Sequence, residues 1–319
     1  MELVLWIIIF MVALVILVKG ADWALSGAER IGVSLGLSSF VVGVVIVGLG
    51  TSLPELVASL AAVFRGAPEI VIADVIGSNI ANILLVGGVS AVIGGRLAVT
   101  KNLIDLDIPL LSVVSVLFLV AIWDRSVVLG EAILLLLSFC IYIGYTAIHR
   151  EESDEPCVCD DDGVCAEHRR PIHARDVGIL TLGFVGLVLG ANYLIESVIH
   201  LSGILGVGIE IISLVAVALG TSLPELLVSV KAAVRKKPEV ALGNIFGSNV
   251  FNLLFVAGIS GLFGTLPIDA ATFSVGLPYM LLATGLFVIS GISRRIHVYE
   301  GAMYIVLYGF FIGQLLGSS

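Results

Sequence analysis

The seven-residue string GTSLPEL occurs twice in this chain, at residues 50–56 and again at residues 220–226. Both copies lie inside strongly apolar segments, although each contains a glycine, a proline, two hydroxyls and a carboxylate. Between residues 47–82 and 217–252, an offset of 170 aligns 18 identical residues in 36 positions without a gap. Shared apolar composition does not produce identical polar strings, so we conclude that the chain is an internal duplication.

Apolar segments long enough to cross a bilayer recur along the chain. Only 13% of the residues are charged and the mean hydropathy is +1.14, whereas soluble globular domains carry about 25% charged residues. A membrane-spanning helix needs about 20 apolar residues. Ten such spans are predicted, at about residues 2–20, 34–64, 69–95, 103–123, 127–148, 177–199, 207–234, 239–265, 272–292 and 298–316. The predicted fold class is an all-α polytopic membrane protein.

The Lys and Arg residues predict how the chain is oriented in the membrane. If loops are numbered between the ten spans, 14 of the 16 cations fall in odd-numbered loops, and only Arg65 and Arg125 fall in even-numbered ones. Cytoplasmic loops are enriched in Lys and Arg. We therefore expect a multi-pass protein of the plasma membrane with cytoplasmic odd-numbered loops and both termini outside the cell.

Each copy of the duplication contains five predicted spans, residues 1–148 and 177–319. Because five is odd, the second copy enters the membrane from the opposite side, an arrangement typical of secondary transporters. The linker at 149–176 is acidic and predicted to be cytoplasmic. Its cysteines and histidines either bind a soft metal or belong to a solvated tether, and their spacing fits no zinc pattern well. They are Cys157, Cys159, Cys165, His168 and His173.

The repeated string interrupts a helix where oxygen ligands would be useful. A proline donates no backbone hydrogen bond and clashes with the carbonyl four residues earlier. Pro54 is therefore expected to free the carbonyls of residues 48–50, and Pro224 those of residues 218–220. Irregular backbone survives at membrane depth only inside protein or along a wet cavity. The two breaks thus predict a buried polar site.

Side chains at helical spacing add further oxygens to this predicted site. Glu55 shares a helix face with Thr51 and Ser52, and Ser78 lies four residues before Asn82. The second half repeats the set with Thr221, Ser222, Glu225, Ser248 and Asn252. Oxygen ligands without histidine or cysteine favour calcium, magnesium or an alkali ion. A purely structural role stays open for the hydroxyls, because in membrane helices they often bond back to a carbonyl of their own helix.

The two glutamates are the strongest functional candidates. A carboxylate at mid-membrane costs about 2.5–3.5 kcal/mol on insertion scales. No basic residue is predicted at the depth of Glu55 or Glu225 to offset this cost. We therefore expect these two side chains to bind cations.

The paired segments GLGTSLPELVAS…ADVIGSNIANI and ALGTSLPELLVS…LGNIFGSNVFNL resemble the two alpha repeats of the calcium/cation antiporter superfamily. The resemblance is to prokaryotic sodium/calcium exchangers in particular, and it spans nearly the whole chain. It implies ten helices, with broken helices 2, 3, 7 and 8 forming the ion-binding core. The alpha motifs would then occupy about residues 44–90 and 214–260, and helices 1 and 6 would slide across the core to switch access.

The resemblance also implies roles for individual residues. Glu55 and Glu225 would bind calcium, assisted by Thr51 and Thr221. The flanking sodium sites would use Ser52, Ser78, Ser222, Ser248 and the carbonyls of Gly48 and Ala218. Exchange of three sodium ions for one calcium ion would be electrogenic.

Two positions depart from the pattern of the family. Some relatives, including potassium-dependent ones, carry Asp where this chain has Asn252, and Asn82 stands at the equivalent position of the first half. Conversely, Asp74 stands where a neutral residue is expected, and its counterpart at the 170-residue offset is Asn244. Asp74 is either a replacement ligand or a residue of the access path.

The predicted function is sodium/calcium antiport, with calcium and sodium as cargo and without a resident cofactor. The first alternative is a proton/calcium exchanger that uses the same carboxylates, and a more distant one is a cation channel. An intramembrane enzyme is not expected, because no histidine accompanies the hydroxyls and no nucleophile motif is present. The expected environment is the lipid bilayer, nucleic acid is not an expected partner, and the sequence specifies no protein partner.

Overall fold

The computed structural model describes residues 2–34, 50–98, 108–150, 173–293 and 295–317. Within them the chain is helical, with four strands of two or three residues. The helices are α1 (Glu2–Ser34), α2 (Leu53–Phe64), α3 (Glu69–Gly94), α4 (Ile108–Ala121), α5 (Leu129–Arg150), α6 (Ala174–Leu205), α7 (Ile209–Thr221), α8 (Leu223–Val234), α9 (Pro238–Gly261), α10 (Thr272–Ile292) and α11 (Val298–Gly317). The strands are β1 (Arg96–Ala98), β2 (Ser126–Val127), β3 (Leu266–Pro267) and β4 (Arg295–His297).

The helices match the predicted spans in position. Among the described residues, seven helices are long and apolar enough to cross a membrane, and α7 with α8 counts as an eighth if this bent pair is one span. Helices α2 and α4 are apolar but shorter. Residues 35–49 of the predicted second span and residues 151–172 of the predicted linker lie outside the described residues. The prediction of a multi-pass helical membrane protein is confirmed.

The first predicted span is longer than expected. Helix α1 continues to Ser34 instead of ending near residue 20, so Lys19 and Arg30 lie on a helix and not in a loop. Lys19 pairs with Asp22 one turn later at 3.4 Å, and Arg30 pairs with Asp176 at the start of α6 at 3.5 Å. The extension also packs on α6, since Ala24 lies against Gly183 and Gly27 against Leu180, and this contact supports the helix where hydropathy alone predicts an end.

Helices α1 and α6 pack against each other more extensively than any other pair, and glycines set their closest approach. A Cβ added at Gly20 would lie 2.6 Å from the backbone nitrogen of Leu187, and one at Gly190 would lie 2.6 Å from that of Leu17. At the 170-residue offset, Gly20 corresponds to Gly190 and Leu17 to Leu187, so the two contacts are equivalent. The two helices therefore cross reciprocally, and glycine is required at both points because the backbones nearly touch.

Helices α2 and α8 end in the same turn. Both are followed by a residue with positive φ, Gly66 at 74° and Lys236 at 59°. The next amide then bonds back to the helix, from Ala67 to the Ala62 carbonyl and from Lys237 to the Ala232 carbonyl, each at 2.9 Å. This left-handed helix end turns the chain tightly into the next helix. The hairpins α2–α3 and α8–α9 are thus local copies of each other.

The short strands of one half pair with short strands of the other half. β1 pairs antiparallel with β4, with Leu97 opposite Ile296, and β2 pairs antiparallel with β3, with Ser126 opposite Pro267. The 170-residue offset places Leu97 on Pro267 and Ser126 on Ile296, so the two ladders are counterparts. The all-helical prediction lacks these strands, because two or three residues at a helix end carry no periodic signal.

Burial separates the helices into an inner and an outer set. α3 is buried along nearly its whole length and α9 along most of it, whereas α1, α5, α6 and α11 are largely exposed. The exposed side chains are apolar, for example Ile141 on α5 and Phe310 on α11. Such a surface is suited to lipid and not to water. The polar residues of the duplicated string therefore lie next to the inner pair of helices.

Candidate cation-binding site

The second copy of the duplicated string interrupts a helix just before its proline, and the first copy leads into the start of α2. Thr51 and Ser52 form a turn before α2, and Ser222 lies at the junction of α7 and α8, where the axis bends by 43°. Pro54 and Pro224 occupy the second positions of α2 and α8, where a helix needs no backbone N–H bond. The glutamate that follows each proline therefore lies in a first helical turn, where the helix dipole favours negative charge.

Three carboxylates are buried together in this region. Glu55 and Asp74 are each 1% exposed and Glu225 is fully buried. Glu55 lies close enough to both of the others to interact with them electrostatically. Among the described residues, the ion pairs involve other acids, namely Asp22, Asp176 and Glu196. A buried charge without a partner is strongly unfavourable, so these carboxylates require a bound cation or proton.

Glu225 has hydrogen-bond partners from both halves of the chain. The Ser52 hydroxyl donates to its Oε1 at 2.9 Å, and the Ser248 hydroxyl donates to the same oxygen at 3.2 Å. The other carboxylate oxygen, Oε2, has no hydrogen-bond partner among the described residues. Ser52 precedes α2 and Ser248 lies on α9, so residues far apart in sequence build one site.

Glu55 differs from Glu225 because neither of its carboxylate oxygens has a hydrogen-bond partner within the described part of the chain. Several neutral atoms predicted to bind cations are likewise buried without partners. They are the hydroxyls of Ser78 and Ser222 and the side-chain amides of Asn82 and Asn252. Native proteins rarely bury so many polar atoms unsatisfied. This set has the chemistry of an oxygen-ligand site for a cation.

The two asparagines share an unusual backbone. Asn82 lies in the π-helical segment Ala81–Gly87 of α3, and Asn252 in the segment Phe251–Val256 of α9. The two segments lie at equivalent positions of the repeat. π-Helical turns are rare and occur frequently at functional sites, because the wider turn redirects side chains.

Two of the predicted ligands already form hydrogen bonds near the helix break, and a third is not among the described residues. The expectation that Pro224 frees the Ala218 carbonyl is wrong for this structure, because that oxygen accepts the Ser222 amide at 3.2 Å. The Thr221 hydroxyl bonds back to its own helix, at 3.1 Å from the Val217 carbonyl and 3.4 Å from that of Ala218. Gly48 lies outside the described residues.

Asn244 is a polar residue of the site that the sequence reasoning missed. Its Oδ1 accepts the Thr51 hydroxyl at 3.2 Å, and its amide nitrogen donates to the Glu225 carbonyl at 3.2 Å and to the Ser229 hydroxyl at 3.0 Å. Ser229 and its counterpart Ser59 were also missed. Both lie four residues after a site glutamate, and this repeated serine was the available signal.

The donor set consists of few charges and many neutral oxygens. No group of three or more His, Cys, Asp or Glu side chains in the described residues is arranged to hold a metal by itself. A cation bound here would therefore need hydroxyl, amide or backbone oxygens in addition to carboxylates. This composition suits calcium and alkali ions, which accept varied oxygen ligands.

Comparisons with known proteins place this geometry in a family. The family model described as sodium/calcium exchanger protein matches residues 5–147 and 176–316. The chain is 33% identical to the sodium/calcium exchanger MaX1 of Methanosarcina acetivorans, covering 96% of this chain and 97% of that protein. It is 32% identical to the uncharacterized membrane protein MJ0091 of Methanocaldococcus jannaschii, covering 98% and 99%.

Solved structures agree with the sequence comparisons. A structure of the sodium-calcium exchanger NCX_Mj soaked with sodium and strontium superposes with a TM-score of 0.65 at 30% identity, covering 98% of this chain and 99% of that one. The resemblance inferred from the repeated motifs is therefore confirmed. The chain belongs to the sodium/calcium exchanger protein family.

Proposed function

We propose that this protein is a sodium/calcium antiporter that moves both ions through the site formed by Glu55 and Glu225. The observation that carries the proposal is the burial of these two carboxylates, at equivalent positions of the repeat, with unpaired oxygens. The names of the relatives, sodium/calcium exchanger MaX1 and sodium-calcium exchanger NCX_Mj, support the choice of ions. Transport, and not enzymatic chemistry, accounts for the site.

The proposed architecture is ten membrane-spanning helices in two inverted repeats, residues 1–148 and 177–319, joined by a linker at 149–176. The reciprocal crossing of α1 and α6 and the exchange of partners between the two strand ladders support this arrangement. The span containing α7 and α8 is broken, and its counterpart is the span that contains α2. The orientation inferred from Lys and Arg places the linker in the cytoplasm.

The proposed calcium ligands are Glu55 and Glu225, completed by Thr51, Thr221 and neighbouring neutral oxygens. The proposed sodium ligands are Ser52, Ser78, Ser222 and Ser248, with Asn82 and Asn252 lining the same cavity. Several of these atoms are buried without partners and so have lone pairs to offer. Calcium takes six to eight oxygen ligands in flexible geometry, which a set of short polar side chains supplies.

Charge supplies the rule that couples the two ions. When empty, the two glutamates hold negative charge in a region of low dielectric, where uncompensated charge is costly. Calcium or sodium neutralises them, so the loaded site crosses between access states more readily than the empty one. Sliding of α1 and α6 across the inner helices would switch access. An exchange of three sodium ions for one calcium ion would make the cycle electrogenic.

Uptake of radioactive calcium into proteoliposomes tests this proposal. We expect uptake only when the vesicles are loaded with sodium, and losses on the order of 100-fold in Glu55→Gln and in Glu225→Gln, because each removes one charge from a buried cation site. The matched control is Glu239→Gln, which removes an exposed carboxylate at the start of α9 and should leave uptake unaltered.

The other outcomes of this assay separate the alternatives. Uptake that follows a proton gradient and ignores sodium would replace the proposal with proton/calcium exchange. Discrete single-channel currents in planar bilayers would replace it with a cation channel. Undiminished sodium-driven uptake in both glutamate variants would show that the ions bind elsewhere.

A further inference from the structure

The duplicated site is asymmetric at one position, where Asp74 in the first half corresponds to Asn244 in the second. Asn244 is fully engaged, since its side chain contacts Thr51, Ser229 and the Glu225 carbonyl. Its amide nitrogen donates two of these three hydrogen bonds. In the second half, hydrogen bonds between neutral groups therefore satisfy the side chain at this position.

Asp74 cannot form the equivalent network. An ionised carboxylate has no N–H, so it donates neither to the Glu55 carbonyl nor to the Ser59 hydroxyl, the counterparts of the Asn244 acceptors. Both carboxylate oxygens of Asp74 are buried without a hydrogen-bond partner among the described residues. The Ser59 hydroxyl is likewise buried and unpartnered. The side chains of Asn244 and Ser229 thus have hydrogen-bond partners in the second half, whereas those of Asp74 and Ser59 have none in the first.

The surroundings of Asp74 favour a positive ion. Ser78 lies four residues later on the same face of α3, where its buried hydroxyl interacts with the Asp74 carboxylate without forming a close hydrogen bond. Asp74 further repels the Glu55 carboxylate. Calcium at the two glutamates would neutralise two negative charges and leave the charge of Asp74 uncompensated. One further positive charge would balance the three carboxylates.

The ligands available at Asp74 select the class of that ion. The three carboxylates do not converge on a single point suited to one metal, so the ion at Asp74 would have one carboxylate and neutral hydroxyls. One carboxylate balances the charge of a monovalent ion, whereas it would leave a divalent ion with one uncompensated positive charge in a region of low dielectric. We propose that Asp74, Ser59 and Ser78 form a second cation site, which holds an alkali ion while calcium occupies the glutamates.

This inference rests on the proposed function and is tested by calcium exchange at equilibrium. Proteoliposomes that contain calcium take up radioactive calcium from outside, in choline chloride or with potassium, lithium or sodium chloride equal on both sides. We expect at least one alkali ion to accelerate wild-type exchange several-fold relative to choline. Asp74→Asn should lose this acceleration. Asn244 shows that the fold accommodates an asparagine at the equivalent position.

Further variants keep the test independent of folding and of the main site. Ser59→Ala removes one neutral ligand and should raise the alkali concentration needed for half-maximal acceleration several-fold. Asp176→Asn, which removes a buried carboxylate paired with Arg30 at the start of α6, should retain the wild-type response. Thermal unfolding of the purified protein gives a second readout, in which alkali chloride should stabilise the wild type more than Asp74→Asn.

The results distinguish this inference from the proposed function. If no alkali ion accelerates wild-type exchange, or if Asp74→Asn responds as the wild type does, the alkali site is wrong even when the glutamate variants abolish sodium-driven uptake. If the glutamate variants transport normally, the proposed function itself fails.

Discussion

The two halves of this protein share a backbone plan but treat their buried polar groups differently. In the second half, Glu225 accepts two serine hydroxyls and Asn244 completes a hydrogen-bond network. In the first half, Glu55 and Asp74 have no hydrogen-bond partner among the described residues. The duplication thus supplied two equivalent carboxylates, of which Glu225 is held by hydrogen bonds and Glu55 is not.

The same asymmetry appears where the hairpins meet the long helices. Arg65, in the turn after α2, reaches α6 and contacts Asn192 at 3.1 Å and Glu196 at 3.3 Å. Its counterpart Arg235 forms no ion pair within the described residues. The counterpart of Asn192 is Asp22, which pairs with Lys19 instead. α2 is therefore tied to α6, whereas α8 packs only sparsely on α1.

The largest expected difference between the halves concerns the two glutamates in the protein without bound cations. Glu55→Gln removes a buried charge without partners, whereas Glu225→Gln removes one that two hydroxyls stabilise. Hydrogen bonds to charged groups contribute about 1.5–3 kcal/mol each. At a pH where both carboxylates are ionised, we expect Glu55→Gln to raise the free energy of unfolding by on the order of 3 kcal/mol more than Glu225→Gln does. Thermal unfolding in choline buffer with a chelator measures this, and equal effects would mean that the two sites are equivalent.

A smaller effect is expected from a pair of equivalent glycines near the site. A Cβ at Gly77 would overlap the Leu214 carbonyl oxygen of α7 and lie 2.7 Å from the Cβ of Ala218, whereas one at Gly247 would meet nothing within 4 Å. Overpacking typically costs about 1–3 kcal/mol. Gly77→Ala should therefore lower the unfolding temperature and Gly247→Ala should not. An equal loss in both variants would show that the two halves pack α3 and α9 alike.

The smallest expected effect concerns the arginines. Arg65 and Glu196 are each about one-third exposed, and exposed ion pairs contribute about 0.2–1 kcal/mol. Arg65→Ala should destabilise the protein by less than about 1 kcal/mol, whereas Arg235→Ala should leave its stability unaltered. Since the Arg65 contact holds α2 against α6, its loss should also speed the hydrogen exchange of the backbone amides of α2. Unchanged exchange would show that this contact does not hold the two helices together.

Hydropathy and the repeated motif predicted most of the helices and singled out two glutamates that the structure buries. The positions of the helices follow from apolar length, and the two glutamates stood out because charge is costly inside a membrane. The continuation of α1 past residue 20 was not predictable from hydropathy, because this part of the helix packs on α6 through Ala24 and Gly27. The strand ladders were missed because each strand is only two or three residues long and its partner lies far away in sequence.

The hydrogen-bond pattern of the site was the least predictable part. Thr51 contacts Asn244 across 193 positions of the sequence, and no local spacing encodes that contact. The Ala218 carbonyl remains bonded because the helix break lies after Thr221, so that the Ser222 amide still reaches it. By contrast, the difference between Asp74 and Asn244 was visible in the repeat, although its consequence required the three contacts of Asn244.

The most direct test of the central claim is to locate the ion. Crystals of the wild-type protein soaked in strontium, a heavier analogue of calcium, would reveal the bound cation by anomalous diffraction. We predict one dominant peak between the carboxylates of Glu55 and Glu225, and its loss in both glutamine variants. A dominant peak elsewhere, or a peak that persists in both variants, would contradict the assignment of this duplicated site as the calcium site.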